Sequence, residues 1–269
     1  MTSELKGLSA GTQRTRRNIM KMGAILTLAA LDSVSKTDPA SANCGNDKPV
    51  GKGCEPANAQ NCFLKGTTIR TLSGDRKIDD LVVGDLLPTI SGELRRVQWI
   101  GRYPYKKSDP SKPWAEGVLP VRIAHSALGP NVPSSDLHVT ALHSILIDGV
   151  LVPAEKLING TTITRSEPEG DEMEFFHVKL ECHDVIYAEG APAGTLLNAT
   201  ESAVNFAEYL RQYGMPATED ARCAPYVHTR GGRVELLSRV RSALSPWIDL
   251  RDRADIVRDR LEEGAYSLV

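Results

Sequence analysis

Asn61-Cys62-Phe63-Leu64-Lys65-Gly66-Thr67-Thr68-Ile69-Arg70-Thr71-Leu72-Ser73-Gly74, with its continuation Ile78-Asp79-Asp80-Leu81-Val82-Val83-Gly84-Asp85, is the stretch on which the fold turns. A cysteine opens it. Thr67 to Leu72, rich in β-branched residues and closed by Ser73-Gly74, has the pattern of a strand. A short amphipathic turn follows, with Ile78 and Leu81 inward and Gly84 at its end. Cys62 reads as a nucleophile poised to attack the peptide bond that precedes it. A lone cysteine is more often a small buried hydrophobe, so this reading depends on residues further along the chain.

Downstream the pattern stays β as far as Leu197. Short apolar runs recur at Thr67 to Leu72, Leu86 to Ile90, Val97 to Ile100, Val118 to Ile123, Leu137 to Val139, Ser144 to Ile147, Phe175 to Leu180 and Val185 to Tyr187. Turn signals separate them, among them Ser91-Gly92, Asp148-Gly149 and Asn159-Gly160. Residues 103 to 117, with their prolines, lysines and aromatics, predict an exposed excursion. Ile78 to Asp85 has an echo in Ala154-Glu155-Lys156-Leu157-Ile158-Asn159-Gly160-Thr161. Each copy runs apolar, acid, polar, leucine, two residues, glycine, and each follows a strand and a glycine-containing turn. The repetition predicts a duplicated β unit with a pseudo-twofold axis.

Two further stretches carry candidate chemistry. Leu137-His138-Val139-Thr140-Ala141-Leu142-His143 places Thr140 and His143 three apart, a spacing that can set a hydroxyl and an imidazole on one turn facing one peptide group. Phe175-Phe176-His177-Val178-Lys179-Leu180-Glu181-Cys182-His183-Asp184-Val185 brings a His-Asp pair between two strand patterns, so His183 and Asp184 are expected at the mouth of the same site.

Beyond Leu197 the pattern becomes helical. Thr200 is an expected N-cap for a helix with Val204, Phe206, Ala207 and Leu210 on one face, stopped by Gly214 and Pro216. Arg233 to Leu244 and Pro246 to Leu261 read as two more helices, rich in Arg, Asp and Glu at helical spacing, and as a solvated cap without site chemistry.

Upstream, residues 1 to 42 read as a targeting segment. Thr15-Arg16-Arg17-Asn18-Ile19-Met20-Lys21 resembles a twin-arginine export signal. The apolar run Met22 to Leu31 is too short to span a bilayer, which takes about 20 residues, and suits a signal core. Ala40-Ser41-Ala42 offers a small-x-small cleavage site. The expected destination is periplasmic or secreted, with the twin-arginine translocase as partner. Residues 43 to 61 read as a linker or propiece.

The 269 residues carry a net charge of -2 and only 5% aromatic side chains, which argues against a nucleic-acid surface. Five cysteines leave one thiol over: Cys44 with Cys54 and Cys182 with Cys223 are possible pairs that would leave Cys62 free. His138, His143, His177 and His183 match no zinc spacing and no CxxC pair is present, so no metal or cofactor is expected.

Taken together, Cys-Phe-x-x-Gly-Thr-x-Ile at Cys62 to Ile69, the Ile-x-x-Leu-x-x-Gly-Asp block, Thr140-x-x-His143 and His183-Asp184-Val185 occur in the order seen in the Hint fold. This is the self-processing module of hedgehog proteins and inteins. The bacterial Hint-type domain is the nearest likeness, through Asp148-Gly149-Val150-Leu151-Val152-Pro153-Ala154 and Tyr187-Ala188-Glu189-Gly190-Ala191-Pro192-Ala193. The resemblance implies a mainly β, horseshoe-like domain of short strands over residues 62–198, followed by a helical extension over 199–269.

It also implies chemistry. The Cys62 thiolate would attack the Asn61 carbonyl in an N-to-S acyl shift, with the protein's own amino-terminal segment as substrate. His143 would protonate the departing nitrogen, and Thr140 would hydrogen-bond and strain the same peptide. His183 with Asp184 would deprotonate the thiol or activate the acceptor, water or a small nucleophile, that resolves the thioester. Inteins end in His-Asn before Cys, Ser or Thr. Here Asn198 is not preceded by histidine and the chain runs on, so cleavage without splicing is expected. The rival expectation is a non-catalytic exported module that uses the scaffold for interaction.

Overall fold

The computed structural model describes residues 61–107, 109–199, 203–215, 222–228 and 232–263. The segment holding Arg16, Arg17, Cys44, Cys54 and the cleavage site lies outside the described residues, as does Thr200. In chain order the strands are β1 (Phe63–Leu64), β2 (Thr68–Thr71), β3 (Gly74–Lys77), β4 (Leu86–Pro88), β5 (Leu94–Lys106), β6 (Val121–Ile123) and β7 (Leu137–Val139). They continue with β8 (Ser144–Ile147), β9 (Val150–Pro153), β10 (Ile163–Arg165), β11 (Glu172–Leu180), β12 (Val185–Ala188) and β13 (Ala191–Gly194). Among the described residues the α-helices are α1 (Phe206–Tyr213), α2 (Arg233–Leu244) and α3 (Arg253–Glu262). The domain is mainly β, with its helices confined to the carboxyl-terminal part.

The strands form two antiparallel sheets. One has seven strands in the order β10-β6-β7-β1-β11-β5-β4, the other six in the order β3-β2-β12-β13-β8-β9. Both contribute to one core: Phe63, Val97, Ile123, Val139 and Val178 come from the first, Ile69, Ile145, Val152 and Ile186 from the second. This is the expected outcome when two sheets each have one apolar face to remove from water.

The duplication read from the sequence is present in three dimensions. In the six-stranded sheet the hairpins β2–β3 and β8–β9 lie at opposite ends, joined through β12–β13, with Ile69 opposite Ala188 and Ile145 opposite Ala193. Each outer hairpin leads into a single 3-10 turn, Ile78–Asp80 and Ala154–Leu157. The Ile78 N–H donates to the Thr67 carbonyl and the Ala154 N–H to the His143 carbonyl, both at 2.8 Å. The same sequence spacing separates Thr67 from His143, Ile69 from Ile145 and Phe63 from Val139, and this last pair faces across the β1·β7 contact. The Asp148-Gly149 and Glu189-Gly190 corners have positive φ at both residues, the two-residue hairpin geometry that matches strand twist.

Several expectations are corrected. Residues 103 to 117 are not an exposed excursion: β5 continues to Lys106 against β11, and Tyr103 and Trp114 are buried. Their rings join Trp99, Met173, Phe175 and Cys62 in a second apolar cluster. The helix after the β region starts at Phe206, not near Thr200. Asn205 precedes it, with its side chain bridging the β5 backbone by donating to the Ile100 carbonyl at 2.8 Å and accepting from the Arg102 N–H at 3.0 Å. Its inward residues are Phe206 and Tyr209, while Val204 is exposed. Gly214 ends it as expected.

The last helix begins at Arg253, where Asp252 and Asp255 form a reciprocal capping box; no helix covers 246–252. Its charges serve chiefly to clamp α3 to α2, through Arg241 with Asp252 and Asp255 and Arg239 with Glu262. Cys182 and Cys223 are both free thiols and do not pair.

Candidate functional site around Cys62

Cys62 precedes β1, and β1 runs between β7 and β11 in the seven-stranded sheet. On the β7 side two hydrogen bonds fix it. The Thr140 N–H donates to the Cys62 carbonyl at 3.0 Å, and the Cys62 N–H donates to Thr140 Oγ1 at 3.1 Å. The nitrogen of the Asn61–Cys62 peptide is thereby held by a buried hydroxyl. Thr140 and His143 close one turn, the His143 N–H donating to the Thr140 carbonyl at 3.0 Å. This turn follows from the end of β7 at Val139 and the start of β8 at Ser144. The His143 ring is buried and tilts against Phe63 with centroids 4.2 Å apart.

The acyl side of the same peptide is held as well. Asn61 has φ 61°, in the left-handed region. Asparagine visits that region more readily than most residues, and the conformation still costs on the order of 1 kcal/mol. The Asn61 side chain is anchored, Oδ1 accepting from the Ser144 N–H at 3.0 Å and from Ser144 Oγ at 3.2 Å. The bond between Asn61 and Cys62 therefore joins a conformationally strained residue to a nitrogen gripped by a hydroxyl.

Burial sets the protonation states. The Cys62 side chain is 0% exposed and burial pushes its thiol well above its ordinary pKa. Burial pushes the His143 imidazole down to about 3, and the Cys62 and Asn61 backbones offset part of this. Those backbone groups lie close to the ring without forming hydrogen bonds of normal geometry, since neither ring nitrogen of His143 has a partner among the described residues. Thiol and imidazole are both neutral near pH 7 and both are shut off from solvent.

A residue to which sequence reasoning gave no catalytic role belongs beside them. His177, on β11, is 0% exposed, and neither of its ring nitrogens has a hydrogen-bond partner among the described residues. Burial first, and His143 second, push it down to about 3. Its ring tilts against Tyr103 at 4.6 Å. In sequence it reads as one inward member of a strand; the signal that sets it apart is a polar ring among apolar neighbours.

The other expected residues have different surroundings. His138 faces the opposite side of β7 from Leu137 and Val139, next to Asp136 and Arg122, and burial lowers its pKa. His183 is buried, and its Nδ1 accepts from the Cys223 N–H at 3.3 Å. The Asp184 carboxylate accepts from Ser91 Oγ and from the Val185 N–H, both at 2.8 Å, with the Arg95 guanidinium at 3.6 Å. These bonds tie the start of β12 to the loop after β4. Among the described residues no group of three or more His, Cys, Asp and Glu side chains is arranged to hold a metal ion.

The family model described as the Hint domain matches residues 61–200. Among solved structures the chain resembles the gp41-1 intein, at 15% identity and TM-score 0.34 over 50% of this chain and 98% of that one. It also resembles a DnaB intein from Synechocystis sp. PCC 6803, at 16% identity and TM-score 0.33 over 51% and 99%. A bacterial intein-like domain from Clostridium thermocellum gives 14% identity and TM-score 0.35 over 51% and 99%. No curated protein matches. With its two-sheet core, its duplicated hairpins and a family match that spans the Cys62, Thr140 and His183 motifs, the chain belongs to the Hint domain family.

Proposed function

We propose that this chain cuts itself once, at the Asn61–Cys62 bond, by an N-to-S acyl shift and without splicing. The observation that carries the reading is the grip on that one peptide: Thr140 Oγ1 on its nitrogen and Ser144 on a left-handed Asn61. As Cys62 Sγ bonds to the Asn61 carbonyl carbon, the C–N bond breaks and the nitrogen of Cys62 becomes a free amine. His143 supplies a ring proton to that nitrogen, made good by the proton that leaves the Cys62 thiol, and the hydroxyl of Thr140 favours the geometry in which the nitrogen departs. General acid help of this kind is worth about 10²–10⁴-fold. The resulting thioester is resolved by water or a small nucleophile, with His183 and Asp184 acting at that stage. A twin-arginine signal carrying Arg16 and Arg17 directs the chain to an exported location.

A test is to incubate purified protein with dithiothreitol or hydroxylamine and compare it with Cys62→Ala. A chain that stays whole and matches Cys62→Ala rules the proposal out. One observation favours a second reading, an interaction scaffold that has lost its chemistry: the Cys62 thiol is wholly buried and its ionisation is disfavoured. That reading expects no cleavage under any nucleophile.

A further inference from the structure

His177 is a buried, titratable side chain that the steps above leave unused. Its location follows from strand register. β1 pairs with β11 with Phe63 opposite Phe176 and Leu64 opposite Phe175. The Lys65 N–H donates to the Glu174 carbonyl at 2.9 Å in the same register. Hydrogen-bonded and non-hydrogen-bonded pairs alternate along an antiparallel ladder. The Lys65 and Phe63 pairs are therefore of the first kind. The paired residues end at Phe63 and Phe176; Cys62 and His177 are the next residue of each chain beyond that pair, and the same register extended by one residue faces them across a non-hydrogen-bonded position with side chains on one face. Phe175, two residues from His177 and on the same face of β11, belongs to the apolar cluster that contains Cys62.

A histidine with two bare nitrogens is a poor choice for an apolar core. Leaving a buried polar group without a partner is unfavourable, and a phenylalanine would fill the same space beside Tyr103 and Phe175. Resting on the self-cleavage reading, we infer that His177 is the base that takes the Cys62 thiol proton. As Sγ bonds to the Asn61 carbonyl carbon, the S–H proton passes to His177. The proton on His177 passes to the second ring nitrogen of His143 as that ring's own N–H proton goes to the Cys62 nitrogen and the C–N bond breaks, so that both rings end neutral, the acyl group is on sulfur and the thiol proton has become an amine proton. His183 is less suited to the first step, since its Nδ1 already accepts the Cys223 N–H.

The experiment measures cleavage and stability together in full-length protein, with dithiothreitol as nucleophile. His177→Phe keeps the volume, removes the bare nitrogens and cannot take a proton. It should melt at the same temperature as the wild type or higher, while cleavage falls by about 10²–10⁴-fold. His177→Gln should be slow in the same way, and His177→Glu, which restores a proton acceptor, should recover part of the rate. A merely structural histidine would lose stability and rate together and show no recovery with glutamate. Wild-type cleavage rates in His177→Phe, or loss of the fold in both His177→Phe and His177→Gln, overturn the assignment. A wild type that does not cleave defeats the self-cleavage reading itself, and this assignment with it.

Discussion

Replacing Thr140 with valine isolates the bond to the scissile nitrogen. Valine matches threonine in shape but cannot accept the Cys62 N–H, now held at 3.1 Å in a site with Thr140 only 6% exposed. The orphaned donor costs about 1–3 kcal/mol. In a domain of this size each kcal/mol lowers Tm by about 2–4 °C. Thr140→Ser keeps the acceptor and loses a methyl, about 0.8 kcal/mol. Stability is best read by urea unfolding in a Cys62→Ala background, where the N–H remains and cleavage is blocked. Single-turnover cleavage with dithiothreitol is read in the Cys62 chain. Thr140→Val should be the less stable of the two and should slow cleavage roughly 2- to 10-fold, the value of one net hydrogen bond. Thr140→Ser should cleave near the wild-type rate. Equal stabilities would show that the hydroxyl does not hold the nitrogen, and a fall beyond a hundredfold would make Thr140 a proton-transfer group and displace His143 from that role.

His143→Ala should accumulate whole chain even under excess hydroxylamine, whereas His183→Ala should be rescued by it. Cleavage by His143→Ala at the wild-type rate would shift the proton donor elsewhere. Acid should destabilise the fold through the two buried imidazoles. They titrate near 6.5 when unfolded and are held down to about 3 when folded. Between those values the unfolded chain binds protons the folded chain refuses, and stability falls with falling pH by up to about 1.4 kcal/mol per unit for each ring. Urea unfolding of Cys62→Ala between pH 7 and pH 4 measures the slope. Adding His177→Phe should remove about half of the histidine part, and an unchanged slope would contradict the neutral-imidazole account. Replacing Arg16 and Arg17 with lysine should trap full-length precursor in the cytoplasm, and unchanged export would exclude a twin-arginine signal.

Much of the β domain is legible because its strands alternate. β7 and β8 occur at the residues where apolar periodicity puts them, and Thr140 and His143 are close for the simple reason that three residues make one turn. Other strands give no such signal. β3 (Gly74–Lys77) is a polar edge strand, and β13 (Ala191–Gly194) contains glycine and proline. β9 is buried throughout and has no period to read. β5 reads as ending at Ile100 because Gly101 and Pro104 interrupt it, yet Gly101 is required where it is. The Trp99 ring lies 2.6 Å from where a Cβ would stand, and only a residue without one leaves room. Ser144 meets Asn61, and His177 packs on Tyr103 in the β11 strand beside β1, through strand pairing and loop packing that no local spacing encodes. The helix boundaries shifted because tertiary bonds decided them, at Asn205 on the β5 backbone and at the Asp252 capping box.

The central claim is cleavage between Asn61 and Cys62 through an acyl-sulfur intermediate. Intact-mass analysis of purified protein, before and after hydroxylamine, tests it most directly. Hydroxylamine should give a carboxyl-terminal product that begins at Cys62 with a free amine, and an amino-terminal fragment that ends in the hydroxamate of Asn61. Cys62→Ala should yield neither. An intact wild-type chain, or cleavage that leaves no hydroxamate on Asn61, would contradict it.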